Sequence, residues 1–281
     1  MKHSTILGID MGGTQIRAGV VRNGILSTTS SKKFPAQGSS EEVLEELFNH
    51  IAPSINGSVT AIGIGVPGLV DPADSMVTDV VNIPSWKTIP LQKLMEERYG
   101  LPVRINNDSN CFALGEFHFG KGKGRDSMIG LTIGTGLGTG IIINNKLYSG
   151  KHGAAGEFGM ADYLDKYFEY YASGQFFQYA YETDGEQVFQ NALEGDTSAL
   201  KMYGEMGIHL GNAIKTILYA YDIDLFVLGG SVSQAFDYFS PTMWRQIQTF
   251  PYKKVVEGLQ IEVSELENSG ILGAAALYYD L

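Results

Sequence analysis

Asp108 is well placed by type and context to move a proton. It follows Asn106-Asn107 at the end of an apolar run, Leu101 to Ile105, and precedes Ser109-Asn110. That pattern reads as a strand passing into a helix that runs from about Ser109 to Phe119. In open α/β sheets, ligands gather at the carboxyl ends of strands. An aspartate there can take a proton from an alcohol while neighbouring amide side chains hold other hydroxyls. The same residues also suit a helix N-cap, and Asp108 could fill both roles.

Two glycine-rich bends could handle phosphate. The first is Asp10-Met11-Gly12-Gly13-Thr14, which ends an apolar strand from Ser4 to Ile9. Glycines let a ligand approach the backbone closely, with N–H groups meeting phosphate oxygens. A carboxylate at the strand end can hold a hydrated magnesium ion, and the Thr14 hydroxyl adds a donor. No Gly-Lys-Ser/Thr is present to make a P-loop, and no helix follows to make a dinucleotide fingerprint. A tight turn satisfies the same pattern. The second bend, Thr132 to Gly140, has alternating glycines and three threonines, more than a turn needs, though a kink in a twisted sheet also uses glycine.

Gly156-Glu157-Phe158-Gly159 and Phe168-Glu169-Tyr170 place two carboxylates among glycines and aromatics. Carboxylates accept hydrogen bonds from vicinal hydroxyls and aromatics cover the apolar faces of a sugar ring. A carboxylate pair also raises a glycosidase reading, and a single Glu can simply be exposed on a helix. His118, His152 and His209 lack metal-ligand spacing. Cys111 is the single cysteine. It reads as a small buried helix residue rather than a nucleophile.

The elements that must position these groups follow a repeated plan. Gly8 to Ser27 and Gly130 to Ser149 align without a gap as strand, glycine bend, strand, Asn turn and strand, setting Asp10 opposite Thr132 and Gly12 opposite Gly134. Val59 to Val66, stopped by Pro67-Gly68, finds a counterpart in Ile223 to Leu228, stopped by Gly229-Gly230-Ser231. Two α/β domains of like design follow from this. Ser39-Ser40-Glu41-Glu42 predicts a capped helix to about Ala52. Pro90 to Tyr99 predicts a second, ended by Gly100. Helical spacing covers Asp165 to about Tyr181, Gly185 to Ala192 and Thr197 to Tyr221, and a small-residue helix runs from Ser269 to Tyr279.

Composition bounds the partners. With 281 residues, 44% hydrophobic and 18% charged, the chain can bury one large or two medium cores. A net charge of −11 disfavours nucleic acid as a partner. One cysteine suggests a reducing compartment. No apolar run spans a membrane, and Met1 to Ser4 leave no room for a signal peptide, so a cytoplasmic protein is expected.

In this order, the motifs resemble the ROK family of sugar kinases over nearly the whole chain. Asp10-Met11-Gly12-Gly13-Thr14 is similar to its first phosphate motif. Gly65-Val66-Pro67-Gly68 and Asn82-Ile83-Pro84-Ser85-Trp86 are similar to its sugar-side loops. Asn107-Asp108-Ser109-Asn110 resembles the catalytic motif, Gly134-Thr135-Gly136-Leu137-Gly138 the second phosphate motif, and Leu228-Gly229-Gly230 the adenosine motif.

The resemblance implies an actin-like, hexokinase-type ATPase fold: two RNase H-like α/β domains with an interdomain cleft. The expected division is 1–107, joined by a helix at about 269–281, and 108–268. It implies ATP-dependent phosphorylation of a hexose at the 6-hydroxyl, with glucose expected and N-acetylglucosamine or N-acetylmannosamine as alternatives, or a non-catalytic sugar-binding regulator. Asp108 is the implied base. Asp10, Gly12, Gly13, Thr14, Gln15, Arg17, Thr135, Gly136, Gly229 and Gly230 are implied for ATP, with Mg²⁺ held by Asp10 through water. Gly68, Asn82, Asn107, Asp108, Glu157 and Glu169 are implied for the sugar. A homodimer is implied as well. Family members commonly place His after Gly-Glu-x-Gly and then a cysteine-rich zinc loop. Here Met160 stands at the His position, and the shorter segment from Asp162 to Glu169 has no cysteine, so no structural zinc is expected. The family's repressors carry an N-terminal DNA-binding domain, whereas this sequence opens on the first strand.

Overall fold

The computed structural model describes residues 5–279. The chain opens on an antiparallel meander, β1 (Thr5–Met11), β2 (Gln15–Arg22) and β3 (Ile25–Lys33). Ser4, expected at the start of β1, lies outside the described residues. Asn23 and Gly24 turn β2 into β3, both with positive φ, as a tight hairpin demands. Helix α1 (Ser40–Ile51) carries the expected capping box: Glu42 N–H donates to Ser39 Oγ at 3.2 Å, and Ser39 N–H donates to the Glu42 carboxylate at 2.7 Å. Its Val43, Leu47 and Ile51 form one buried face. Strand β4 (Val59–Val66) leads to three short strands, β5 (Leu69–Val70), β6 (Val77–Thr78) and β7 (Thr88–Ile89). Helix α2 (Leu91–Tyr99) ends on Gly100 in the left-handed conformation, followed by β8 (Val103–Asn107) and α3 (Asp108–Phe119).

The second meander is β9 (Met128–Ile133), β10 (Leu137–Ile143) and β11 (Lys146–Leu147). Then come a small hairpin, β12 (Asp162–Tyr163) with β13 (Lys166–Tyr167), and helices α4 (Phe168–Ala172), α5 (Gln175–Tyr181), α6 (Gly185–Leu193) and α7 (Thr197–Tyr221). Asp196 caps α7 by accepting Ala199 N–H at 2.8 Å. Strand β14 (Leu225–Gly229), α8 (Phe236–Ile247), α9 (Lys253–Gly258), β15 (Gln260–Val263) and α10 (Ser269–Ala276) complete the described chain.

Both large sheets share one strand order, β3-β2-β1-β4-β8 and β11-β10-β9-β14-β15, so the sequence echo is a repeat of topology. In each, an antiparallel meander is extended by parallel strands, the RNase H-like build that the resemblance implied. Two compact units result. The first comprises the chain up to Asp126, Gly140–Ala155 and the segment from Glu265 onward; the second comprises Ser127–Thr139 and Gly156–Ser264. This division differs from a boundary after Asn107. Helix α3 stays with the first unit because α10 packs on it, with Gly273 bringing its backbone against the Cys111 carbonyl. On its other side α10 meets β1 and β4, where Gly8 and Gly63 leave no room for a methyl against the Ile271 and Ala274 carbonyls.

The first unit's core joins β1, β4 and β8 to α1, α2 and Trp86, which is 1% exposed. Two sequence expectations change here. The single helix expected from Asp165 to Tyr181 is a hairpin followed by two short helices, broken at Ser173, whose backbone is extended. Helices α8 and α9 and strand β15 occupy 236–263, a stretch to which no element was assigned from sequence; Pro241 lies inside α8.

Candidate active site

In the first unit, Asp108 opens α3 at the carboxyl end of β8. The capping role belongs to Asn107 rather than Asp108. Its Oδ1 accepts Ser109 N–H at 2.8 Å and Asn110 N–H at 3.3 Å, and its Nδ2 donates to Gly68 O at 3.0 Å. One amide side chain thus ties the strand-to-helix corner to the Pro67-Gly68 loop. Asp108 Oδ1 accepts Ser109 N–H at 2.8 Å, which fixes the carboxylate at the first turn of the helix. Gly65 lies beneath it: a Cβ there would be 3.5 Å from the Asp108 Cα and 3.1 Å from Cys111 Sγ. Cys111 is buried as expected, and its thiol is pushed well up, first by burial and then by the charges of Asp10 and Asp108. Those two carboxylates are therefore both close to one buried sulfur.

Asp10 ends β1 with its carboxylate against the start of α10, where a Cβ on Gly270 would sit 2.6 Å from its Cγ. Arg17 Nη2 pairs with Asp10 Oδ2 at 2.5 Å. Burial raises the Asp10 pKa, and Arg17 opposes the rise. Gly12 N–H donates to Gln15 O at 2.9 Å, closing the bend. At Gly13 an added Cβ would lie 2.8 Å from Asn82 Nδ2, so glycine lets the Asn82–Trp86 loop touch the first bend. That loop is anchored by Trp86, while Asn82 itself is exposed. Thr14 is also exposed, and Gln15 is tied to Ser31 Oγ on β3.

In the second unit, the other bend joins β9 to β10. Gly134 N–H donates to Gly136 O at 3.0 Å. A Cβ on Gly134 would meet nothing within 4 Å, so protein packing does not demand glycine there, whereas a ligand lying on the backbone would. Gly229 pairs with Thr132 across β14 and β9, and Gly230 has a φ of +85° with its α-carbon against the Ile133 backbone. Gly229-Gly230 and the second bend are therefore neighbours, and Thr135 is exposed at the bend.

Glu169 stands behind this bend. Its Oε2 accepts Leu137 N–H at 3.0 Å and its Oε1 accepts Gln175 Nε2–H at 2.7 Å. A methyl on Gly136 would strike the Glu169 carboxylate. Glu157 is reachable by solvent, yet desolvation by its packed surroundings raises its pKa, and the charge of Glu169 adds to the rise. The two carboxylates of the sequence reading are thus electrostatic neighbours.

The cysteine-free segment is held by aromatic and hydrogen-bond contacts. Tyr163 stacks on Phe168 with ring centroids 4.2 Å apart. The Tyr163 hydroxyl lies 3.0 Å from His209 Nδ1 and accepts Asn212 Nδ2–H at 2.8 Å. The Tyr171 and Tyr179 hydroxyls donate to Asp165, and these bonds hold its carboxyl below the usual range. Neither the Arg17–Asp10 pair nor the Gln175–Glu169 bond was read from the sequence. Arg17 gave a signal, lying across the hairpin at the register partner of Asp10.

Two sheets of one topology, each with a glycine bend after its first strand and one with an acid at a strand-to-helix corner, define the actin-like class of phosphoryl-transfer folds. The ROK family pattern matches residues 6–280, and the chain belongs to that family. It is similar to glucokinase of Streptomyces coelicolor, at 33% identity over 267 residues covering 82% of this chain and 83% of that one. It is also similar to N-acetyl-D-glucosamine kinase of Pasteurella multocida, at 30% identity over 301 residues covering 96% and 98%. The crystal structure of a ROK family glucokinase from Streptomyces griseus, in complex with glucose and AMPPNP, superimposes with a TM-score of 0.84 at 30% identity, covering 98% of this chain and 99% of that one.

Proposed function

We propose that this ATP-dependent sugar kinase transfers the γ-phosphoryl group of ATP to the 6-hydroxyl of a hexose, with glucose as the preferred acceptor. The observation that carries the reading is the corner where β8 becomes α3. There Asn107 takes the cap and Asp108 is fixed by Ser109 N–H at a strand's carboxyl end. Asp108 would accept the hydroxyl proton as the oxygen attacks in line. Positioning and charge stabilisation would supply most of the acceleration, as in phosphoryl transfer generally.

Gly12, Gly13 and Thr14 of one bend and Thr135 and Gly136 of the other would donate to phosphate oxygens, with Arg17 adding a positive charge. Gly229 and Gly230 would lie along the adenosine. Asp10 would hold a hydrated Mg²⁺ through water, using the carboxylate oxygen that Arg17 does not engage. Magnesium would supply charge neutralisation of the transferring phosphates. Gly68, Asn82, Asn107, Glu157 and Glu169 would hold the sugar hydroxyls.

Similarity to an N-acetyl-D-glucosamine kinase supports a second reading in which an N-acetylhexosamine is the acceptor, and Met160 in place of the family's usual His leaves the sugar contact there altered. A coupled ADP-release assay over glucose, mannose, N-acetylglucosamine and N-acetylmannosamine tests both. The highest kcat/KM on glucose is expected; highest on an N-acetyl sugar would reassign the acceptor, and turnover on none would remove the kinase reading.

A further inference from the structure

The segment from Glu169 to Gln175 grips the second glycine bend at several points, and Ser173, Gly174 and Gln175 have no role in the reading above. Glu169 Oε2 accepts Leu137 N–H, and Gln175 Nε2 donates to the other carboxylate oxygen at 2.7 Å. Gly174 N–H donates to Gly134 O at 2.8 Å. The Ser173 hydroxyl is fully buried. It lies 2.6 Å from Glu169 O and 3.0 Å from Thr135 O, and accepts Gln175 N–H at 3.2 Å. The bonds to Glu169 O and from Gln175 N–H finish the ends of α4 and α5, but those to Leu137, Thr135 O and Gly134 O and the Gln175–Glu169 bond serve neither helix and tie the break to the bend. A carboxylate accepts about four hydrogen bonds, so one backbone and one side-chain donor fix Glu169 and leave lone pairs for hydroxyl donors.

We propose that Gln175 and Ser173 are positioning residues that join the hexose-side carboxylate Glu169 and the phosphate-side bend Gly134–Leu137 into one rigid piece. Hexose binding to Glu169 then presets the bend for nucleotide, and nucleotide does the same for hexose, by reciprocity of coupling. This rests on the proposed roles of Glu169 and of the bend. Gln175 acts through Glu169 by supplying one charge-assisted hydrogen bond, and losing such a bond costs about a factor of ten or more in what it stabilises.

The test compares wild type with Gln175→Met, which keeps chain length but removes the donor, and with Ser173→Ala. Calorimetry gives the hexose Kd with and without a non-hydrolysable ATP analogue, steady-state assays give KM for hexose and for ATP, and thermal melting checks folding. In the wild type the analogue should tighten hexose binding. In Gln175→Met that tightening should fall about tenfold, with both KM values raised and the melting temperature little changed. Ser173→Ala should weaken the tightening in the same direction, and it decides the matter if Gln175→Met does not fold. Wild-type tightening retained in the variants, a change in one KM alone, or no tightening in the wild type would overturn the proposal. A wild type that phosphorylates no hexose would instead defeat the functional reading, and that result appears before any variant is made.

Discussion

Gly13→Ala isolates the contact between the first bend and the Asn82 loop. The new methyl would lie 2.8 Å from Asn82 Nδ2, 2.9 Å from its Cγ and 3.0 Å from its Cβ. Carbon contacts settle at about 3.5–4.0 Å, so Asn82 must retreat by roughly half an ångström or more. Its side chain is exposed and can move, and the backbone at Gly13 is not in the positive-φ region, so Ala is tolerated there. Unfolding free energy should therefore stay within about 1 kcal/mol of wild type. Function should respond more strongly. Misplacing a binding group by about 1 Å can cost on the order of 100-fold, so a hexose kcat/KM about 10- to 100-fold lower is expected. Gly57→Ala is the control: its methyl would meet nothing within 4 Å, and the hexose kcat/KM should not change. The measurements are urea unfolding and coupled ADP release at varied hexose. A wild-type hexose kcat/KM in folded Gly13→Ala would refute the role given to Asn82, and a loss of several kcal/mol would refute the claim that Asn82 can yield.

Asp108→Asn should lower kcat by about 10² to 10⁴ while calorimetric hexose affinity is largely kept; unchanged kcat would remove Asp108 as base. Glu157 has a raised folded pKa, so the folded state binds more protons than the unfolded chain, and stability is lost as pH rises through that value. Melting of Glu157→Gln should therefore exceed wild type at pH 8 and converge with it near pH 4, and a pH-independent difference would contradict the assignment. The hexose KM of wild type should begin to rise on acidification above the usual glutamate range. Trp86→Ala removes a side chain 1% exposed from the first core and should cost about 3–5 kcal/mol by denaturant titration.

The meanders were legible because the first two strands of each are apolar runs stopped by glycine or an Asn turn, and those signals are local. Helix α1 was legible from its Ser39 cap and α7 from the apolar spacing of Thr197 to Tyr221, both of them local signals. Asp108 could be placed at a strand-to-helix corner, but the choice of Asn107 as cap could not, because both residue types serve. The segment after Asp162 was misread because contacts distant in sequence hold it: Tyr163 is fixed by His209 and Asn212 on α7, and Asp165 by Tyr179 on α5. No periodicity encodes such bonds. Helix α8 carries Pro241 in its interior, which argues against helix in any local reading, yet Phe239, Met243 and Ile247 bury one face. The partner of Asp10 was hidden for a different reason. Arg17 is seven residues away, and only the register of β1 against β2 brings the two together.

Helix α10 has a consequence for the order in which the protein can be made. It seals β1, β4 and α3, and its Gly270 abuts the Asp10 carboxylate, yet it follows the whole of the second unit along the chain. A growing polypeptide therefore exposes the sheet bearing Asp10 and Asp108 long before its last covering helix is synthesised. Domains generally fold as units during synthesis, and contacts of large sequence separation form late. The second unit, nearly continuous from Gly156 to Ser264, can mature first, so Asp10 and its strand acquire their final surroundings only when α10 has emerged.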